Sequence, residues 1–231
     1  HELVWGRSPE PTANEPTLWM VNTLFSCLCT FTDRFSFVPR WRPNFVTSIA
    51  GEDRCHLNGV ALRDGRPRYV TALGMSNEPN GWRPTKLTGG CVIDVDSHDV
   101  LCAGLCMPHS PRSHADRLWV LNSGQGELLR IDVSRGQTDV VARLGGDEFI
   151  VLLHDIAGTG MVVSLADKIV ASIGAPTTLN GLPVQVGASI GIAIYPQHGL
   201  TRETLLKAAD QAMYVVKTHG KSGHRLAGAA D

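Results

Sequence analysis

Two rhythms of apolar residues divide this chain. Up to about residue 140 they come in short runs between Gly, Pro, Asn and Asp, as in Leu57-Asn58-Gly59-Val60-Ala61-Leu62, Arg68-Tyr69-Val70-Thr71-Ala72-Leu73 and Cys91-Val92-Ile93-Asp94-Val95. Such runs predict short β-strands joined by turns. After residue 160 helical periodicity enters: Leu165, Ala166, Ile169, Val170 and Ile173 recur at three- and four-residue intervals, as one helix face requires. Between the two regimes, Phe149-Ile150-Val151-Leu152-Leu153 reads as a buried strand, which makes the Gly145-Gly146-Asp147-Glu148 segment before it the tip of a hairpin.

The strand-rich part contains an internal echo. Leu18-Trp19-Met20-Val21-Asn22-Thr23 returns as Leu118-Trp119-Val120-Leu121-Asn122-Ser123, one hundred residues later. Evenly spaced strands with repeated aromatic dipeptides point to a radial β-repeat, with two blades of ~50 residues per offset. A β-sandwich with a chance repeat is the alternative.

Composition marks a seam. All five Trp and all six Cys lie at or before Trp119, and Lys86 is the only lysine before residue 140. A length of 231 residues admits one large or two small domains. The apolar content of 43% suits a globular chain, and a net charge of −1 supplies no basic surface for nucleic acid. No apolar run approaches the ~20 residues of a membrane span, and the N-terminus has no signal-peptide pattern. A soluble, cytoplasmic protein without membrane or nucleic-acid partners is the expectation. The start at His1 rather than methionine suggests a cut or processed beginning.

Candidate chemistry concentrates at Arg143-Leu144-Gly145-Gly146-Asp147-Glu148-Phe149. Paired glycines let a backbone approach a ligand closely, and successive N–H groups form a concavity suited to phosphate oxygens. Asp147 and Glu148 offer oxygen ligands for a hard cation such as Mg²⁺. For an isolated Gly-Gly-Asp, a plain turn with solvated acids is the better reading. Further strings follow in order: Ala188-Ser189-Ile190-Gly191-Ile192-Ala193, Pro196 with Gly199, then Leu205-Leu206, Ala209-Asp210-Gln211-Ala212-Met213-Tyr214, Lys217, Gly220 and Lys221. Together these resemble the GGDEF family of diguanylate cyclases from about Val140 to Arg225.

That resemblance implies a last helix near 201–218, strands near 148–154 and 187–194 that pair, and a cyclase-like, ferredoxin-like α/β fold. It also implies a reaction in which the 3′-hydroxyl of one GTP attacks the α-phosphate of another. Asp147 would bind Mg²⁺ and assist the hydroxyl, Gly145 and Gly146 would cradle phosphate, and Lys217 and Lys221 would neutralise it, with Glu148 a secondary candidate. Two such domains face each other, so a homodimer is implied. The family's earlier half, with an Asp-x-Asp-x-Phe-Lys type strand and its guanine-reading residues, has no counterpart before Arg143. The expectation is a truncated, inactive half-domain with an open sheet edge.

Upstream, Asn22-Thr23-Leu24-Phe25-Ser26-Cys27-Leu28-Cys29, Phe37-Val38-Pro39-Arg40-Trp41-Arg42-Pro43, Glu52-Asp53-Arg54-Cys55-His56-Leu57-Asn58-Gly59 and Met107-Pro108-His109-Ser110-Pro111-Arg112 are similar to an uncharacterised bacterial family of propeller-like conserved proteins, covering Leu18 to about Leu144. The two resemblances meet at Val141-Ala142-Arg143-Leu144-Gly145-Gly146. A truncated chimera is expected: a mixed α and β chain whose residues 1–140 are an all-β, partial β-propeller-like module, followed by a GGDEF half-domain over 141–226 and a tail at 227–231.

Other residues carry smaller claims. Cys27-x-Cys29 and Cys102-x-x-x-Cys106, with Cys55-His56 and His109, have the makings of metal pairs, but buried free thiols are the preferred reading, and disulfides are not expected in a cytoplasmic chain. His56, Asn58, His109, Arg112 and Asn122 sit beside glycines or prolines, either around a small-ligand site or satisfying turn backbones. An Arg-x-x-Asp product-inhibition site is read as absent: Asp139 is in place, but Gly136 holds the Arg position and Arg135 lies one residue early. Two functions remain open: a diguanylate cyclase descendant, or a non-catalytic propeller fragment that binds a ligand or protein and carries a vestigial GGDEF tail.

Overall fold

A computed structural model describes residues 2–10, 15–135 and 137–229. The chain divides into two compact units, 1–154 and 155–231.

The first unit is three successive antiparallel meanders. The first sheet runs β1 (Leu3–Arg7), β2 (Pro16–Asn22), β3 (Cys27–Thr30) and β4 (Val38–Trp41). The second runs β5 (Leu57–Arg63), β6 (Arg66–Ala72), β7 (Gly90–Asp94) and β8 (Val100–Leu105). The third has five strands: β9 (Pro108–His114), β10 (Arg117–Asn122), β11 (Glu127–Asp132), β12 (Gln137–Gly145) and β13 (Glu148–Leu152). The two copies of the Leu-Trp…Asn repeat are β2 and β10, each the second strand of its sheet, so the offset of one hundred residues is two sheets. As the pattern predicts, the only helical turns described before residue 140 are three-residue 3₁₀ pieces at Arg83–Thr85 and Ser123–Gln125.

Period-two alternation holds the layers together. Cys91 and Ile93 on β7 join Trp19, Val21 and Leu28 of the first sheet in one core, while Val92 between them joins Leu118, Val120, Leu129 and Ile131 of the third sheet in another. The middle sheet is thus covered on both faces, which is why β7 reads as an unbroken buried run. Three layers are more than a two-sheet sandwich supplies, and among the described residues the sheets do not close into a ring.

The second unit contains α1 (Thr159–Ile173), a hairpin of β14 (Thr177–Leu179) and β15 (Leu182–Val184), then β16 (Ser189–Ile192), α2 (Arg202–Thr218) and β17 (Gly223–Leu226). Both helices fall where periodicity and resemblance put them. Thr201 caps α2 through its side chain, and Thr204 returns the bond in a capping box. β16 and β17 form a parallel pair against which α2 packs. Gly191 allows that approach: a Cβ there would collide with the Ala209 carbonyl oxygen and lie 2.6 Å from the Met213 amide nitrogen.

One expectation needs correcting. The strands near 148–154 and 187–194 do not pair: β13 is hydrogen-bonded to β12, and β16 to β17. The reason lies in register. β12 already pairs with β11 from Gln137 to Ala142, so the hairpin that continues from it adds β13 to the third sheet as a fifth strand. The division between units accordingly falls after His154, downstream of the compositional seam at 140.

Candidate functional sites

The signature segment is the tip of the β12–β13 hairpin. Gly145 pairs with Glu148 across a two-residue turn of Gly146 and Asp147. Gly146 takes φ +54°, a conformation that suits a residue without Cβ at the first central position of a hairpin turn. The Arg143 guanidinium donates to the Gly146 carbonyl oxygen from Nε at 2.9 Å and Nη2 at 2.6 Å, bracing the loop from its own strand. Gly145, Gly146, Asp147 and Glu148 are all exposed. Lys217, in the last turn of α2, and Lys221, just beyond it, are exposed on the second unit.

The Mg²⁺ implied by the family can be tested against these donors. Glu148 opens β13 and Asp147 precedes it in the two-residue turn. Among the described residues no group of three or more His, Cys, Asp or Glu is placed to hold a metal ion. The acids present do not fit a metal centre of the cyclase kind.

Asp139 is engaged within the third sheet: it forms an ion pair with Arg130, its cross-strand neighbour, and accepts from the His154 amide at 2.8 Å. The Gly136 position lies outside the described residues.

The polar candidates of the first unit gather where its three sheets converge. Asn58, 2% exposed on β5, donates from Nδ2 to the Pro108 carbonyl at 3.0 Å and accepts at Oδ1 from the Thr71 hydroxyl at 2.6 Å. Asn122, equally buried, accepts from the Cys106 amide at 2.7 Å and donates to Gln125 at 3.0 Å and Glu127 at 2.6 Å. Both asparagines thus bind the chain itself. Arg112 pairs with Glu2 at 2.6 Å. His56 Nδ1 lies 2.9 Å from Asp53 Oδ2, and the same oxygen accepts from Trp82 Nε1 at 3.0 Å, with the His56 and Trp82 rings 4.4 Å apart. Burial, then the neighbouring His56, lowers the pKa of His109, with Glu2 opposing.

Glu2, Asp53 and Trp82 are the partners that sequence reasoning missed. Glu2 touches all three sheets: its carbonyl accepts from the Val21 amide at 2.9 Å, and its carboxylate takes the Val60 amide at 2.8 Å and Arg112. Nothing in an N-terminal glutamate announces that role. Asp53, three residues before His56, was the one legible signal.

The cysteines behave as packing residues. All are free thiols, buried except the half-buried Cys102. Burial pushes the thiol pKa of Cys55 up to about 11 and that of Cys91 to about 12, and the hydrogen bond to Cys29 raises that of Cys27. The same hydrogen bond lowers the pKa of Cys29.

Comparison with known proteins adds two overlapping matches. The family described as "Domain of unknown function (DUF4915)" matches residues 1–165, and "Diguanylate cyclase, GGDEF domain" matches residues 126–223. Their overlap, 126–165, contains the string Val141–Gly146 at which the two resemblances meet. The diguanylate cyclase TpbB of Pseudomonas aeruginosa is 42% identical over 114 residues, covering 46% of this chain and 26% of that protein. The bifunctional diguanylate cyclase/cyclic di-GMP phosphodiesterase MucR of the same species is 42% identical over 106 residues, covering 43% of this chain and 15% of that protein. The chain therefore spans about a quarter or less of these curated relatives. Among solved structures, the crystal structure of the GGDEF domain of TpbB is 46% identical over 40% of this chain and 58% of that one, with a TM-score of 0.38.

Proposed function

The chain belongs to the DUF4915 family, and from its match to the GGDEF domain over residues 126–223 we propose that it is a cytoplasmic signalling protein of diguanylate cyclase descent whose GGDEF-like region no longer makes cyclic di-GMP. The observation that carries this reading is the allegiance of the signature hairpin. β12 and β13 complete a sheet of the first unit, while the Ser-Ile-Gly-Ile strand β16 is paired with β17 in the second. Polymerising GTP calls for two carboxylate positions on the metal and a pocket that reads each base, since such catalysis consists mostly of positioning and charge neutralisation. Asp147 stands at a hairpin tip, and no set of acids gathers around it among the described residues.

The three meanders of the first unit are, in this proposal, consecutive blades of a partial propeller. A strand-rich module that places His109 and Arg112 on the first strand of its third sheet suits ligand or protein binding better than catalysis. In the GGDEF-like region the residues proposed to meet phosphate are Gly145 and Gly146 in the first unit and, separately, Lys217 and Lys221 in the second.

The test is direct. Purified full chain incubated with GTP and Mg²⁺ should yield no cyclic di-GMP, and Asp147→Ala should leave that result unchanged. Product that disappears with Asp147→Ala would overturn the reading, because some other part of the chain would then be supplying the missing ligands.

A further inference from the structure

The carboxylate of Glu2 sits among donors supplied by two other sheets. Its Oε2 accepts from the Val60 amide at 2.8 Å, and its Oε1 lies 2.6 Å from Arg112 Nη1. One donor therefore comes from β5 and one from β9, the first strands of the second and third sheets. The glutamate side chain is only 17% exposed. Its backbone is fixed separately, by the bond from the Val21 amide to its carbonyl.

Neither donor depends on Glu2 for its position. Val60 is paired with Val70 in the β5–β6 ladder, and Arg112 with Trp119 in the β9–β10 ladder. β5 is an edge strand of the second sheet, and the Val60 N–H is met by a carboxylate rather than by another strand. Gly59 brings β5 and β9 together: a Cβ there would collide with the Pro111 ring and lie 2.6 Å from Thr71 Oγ1. Arg112 is oriented from its own strand, where Nη1 also donates to the Pro111 carbonyl at 2.8 Å. His109 shares that strand and feels the carboxylate: burial, then His56, lower its pKa, and Glu2 opposes them.

We infer that the Val60 amide and Arg112 form a binding site for the carboxylate of a small organic acid, and that Glu2 is the chain's own occupant, which such an acid displaces. The chemistry of the ligand follows from the occupant. A backbone amide and a guanidinium, each meeting one oxygen, are complementary to a planar carboxylate, and a charged partner strengthens both bonds. Two donors, one for each oxygen, match a carboxylate better than the larger oxygen set of a phosphate. A tethered occupant competes through its effective concentration, so Glu2 lowers the apparent affinity for a free acid without altering the donors. Exchange releases the side-chain tie from Glu2 to the second and third sheets. The inference rests on the ligand-binding reading of the first unit and names the group its ligand presents.

Titration of the full chain with isotope-labelled acetate at constant ionic strength, followed by NMR line broadening, is the test. Glu2→Ala vacates the donors and should bind acetate with a dissociation constant on the order of millimolar, as suits so small a ligand. The unaltered chain should bind it saturably but roughly tenfold more weakly, because Glu2 must be displaced. Combining Glu2→Ala with Arg112→Gln should abolish saturable binding. Acetate should also raise the fluorescence-detected urea midpoint of Glu2→Ala more than chloride does. If Glu2→Ala does not fold, Glu2→Gln, which keeps the shape and removes the charge, takes its place with the same order of affinities. Equal affinity in the unaltered chain and the Glu2 variant overturns the inference, as does an unaltered chain that acetate never saturates, or binding that survives loss of Arg112. Tighter binding of inorganic phosphate than of acetate overturns it too. Those results leave the absence of cyclic di-GMP untouched; the functional reading falls instead if GTP and Mg²⁺ yield product.

Discussion

Asn58 offers a sharp test of whether the polar candidates at the converging sheets build the fold or wait for a ligand. Its amide bridges β5 to the start of β9 through the Pro108 carbonyl and takes the hydroxyl of Thr71, itself fully buried. Asn58→Ala leaves both groups without that partner in a site closed to water. Each orphaned buried group costs about 1–3 kcal/mol, so the substitution should destabilise the first unit by about 2–6 kcal/mol. All five tryptophans lie before residue 120, so fluorescence follows this unit and is silent to the second. With a urea m-value of about 2 kcal/mol/M, the fluorescence midpoint should fall by about 1–3 M. Thr71→Val alone removes a single donor and should cost about 1–3 kcal/mol. In the double variant the orphaned hydroxyl no longer exists, so the combined loss should fall short of the sum by about 0.5–3 kcal/mol, as contacting partners require. A midpoint unmoved by Asn58→Ala, or two losses that simply add, would refute the assignment and return Asn58 to the ligand candidates.

Other outcomes are as definite. Gly191→Ala must push α2 off β16, because the collision is with main-chain atoms of Ala209 and Met213; a loss of about 1–3 kcal/mol is expected, seen in the helical circular dichroism of the second unit with the fluorescence midpoint unchanged. His109 has a lowered pKa, so the unfolded chain binds its proton first. The stability His109 contributes is therefore complete above about pH 6.5, the unfolded value, and is lost as pH falls below it; His109→Gln should flatten that part of the fluorescence-detected stability profile. Gly146→Ala, at φ +54°, should cost the hairpin about 1–2 kcal/mol, while exposed Asp147→Ala should change stability by less than about 0.5 kcal/mol, both measured by urea unfolding.

Much of the architecture was legible because two periods control it. Alternation in segments such as Cys91-Val92-Ile93 directs neighbours to opposite cores, and the recurrence of Leu-Trp…Asn marked the second strand of two sheets. The 3.6-residue rhythm of Leu165, Ala166, Ile169, Val170 and Ile173 located α1 within a residue. What stayed hidden was choice of partner. Val140 to Leu144 and Phe149 to Leu152 have the alternation of strands in any sheet, and which sheet they join depends on what β11 offers, not on their own residues. The same holds for the site: Asp53 announces its bond to His56 by proximity, but Glu2 reaches Val60 and Arg112 across more than fifty residues of chain.

The string at 141–146 shows how one segment can satisfy two families. A third-sheet strand needs alternating apolar positions there, with Val140 packed against the inner core and Val141 outward. A signature hairpin needs the same alternation on its first strand, followed by a glycine able to adopt positive φ. These demands are compatible, so Arg143 to Gly146 folds as a sound hairpin, braced by the Arg143–Gly146 bonds, on a sheet of the DUF4915 part. The glycines are demanded by the turn itself. Asp147 is not: at an exposed tip its carboxylate has meaning only through what faces it. In this chain the signature therefore persists as local backbone geometry, while the metal chemistry associated with it depends on distant elements that the hairpin cannot supply.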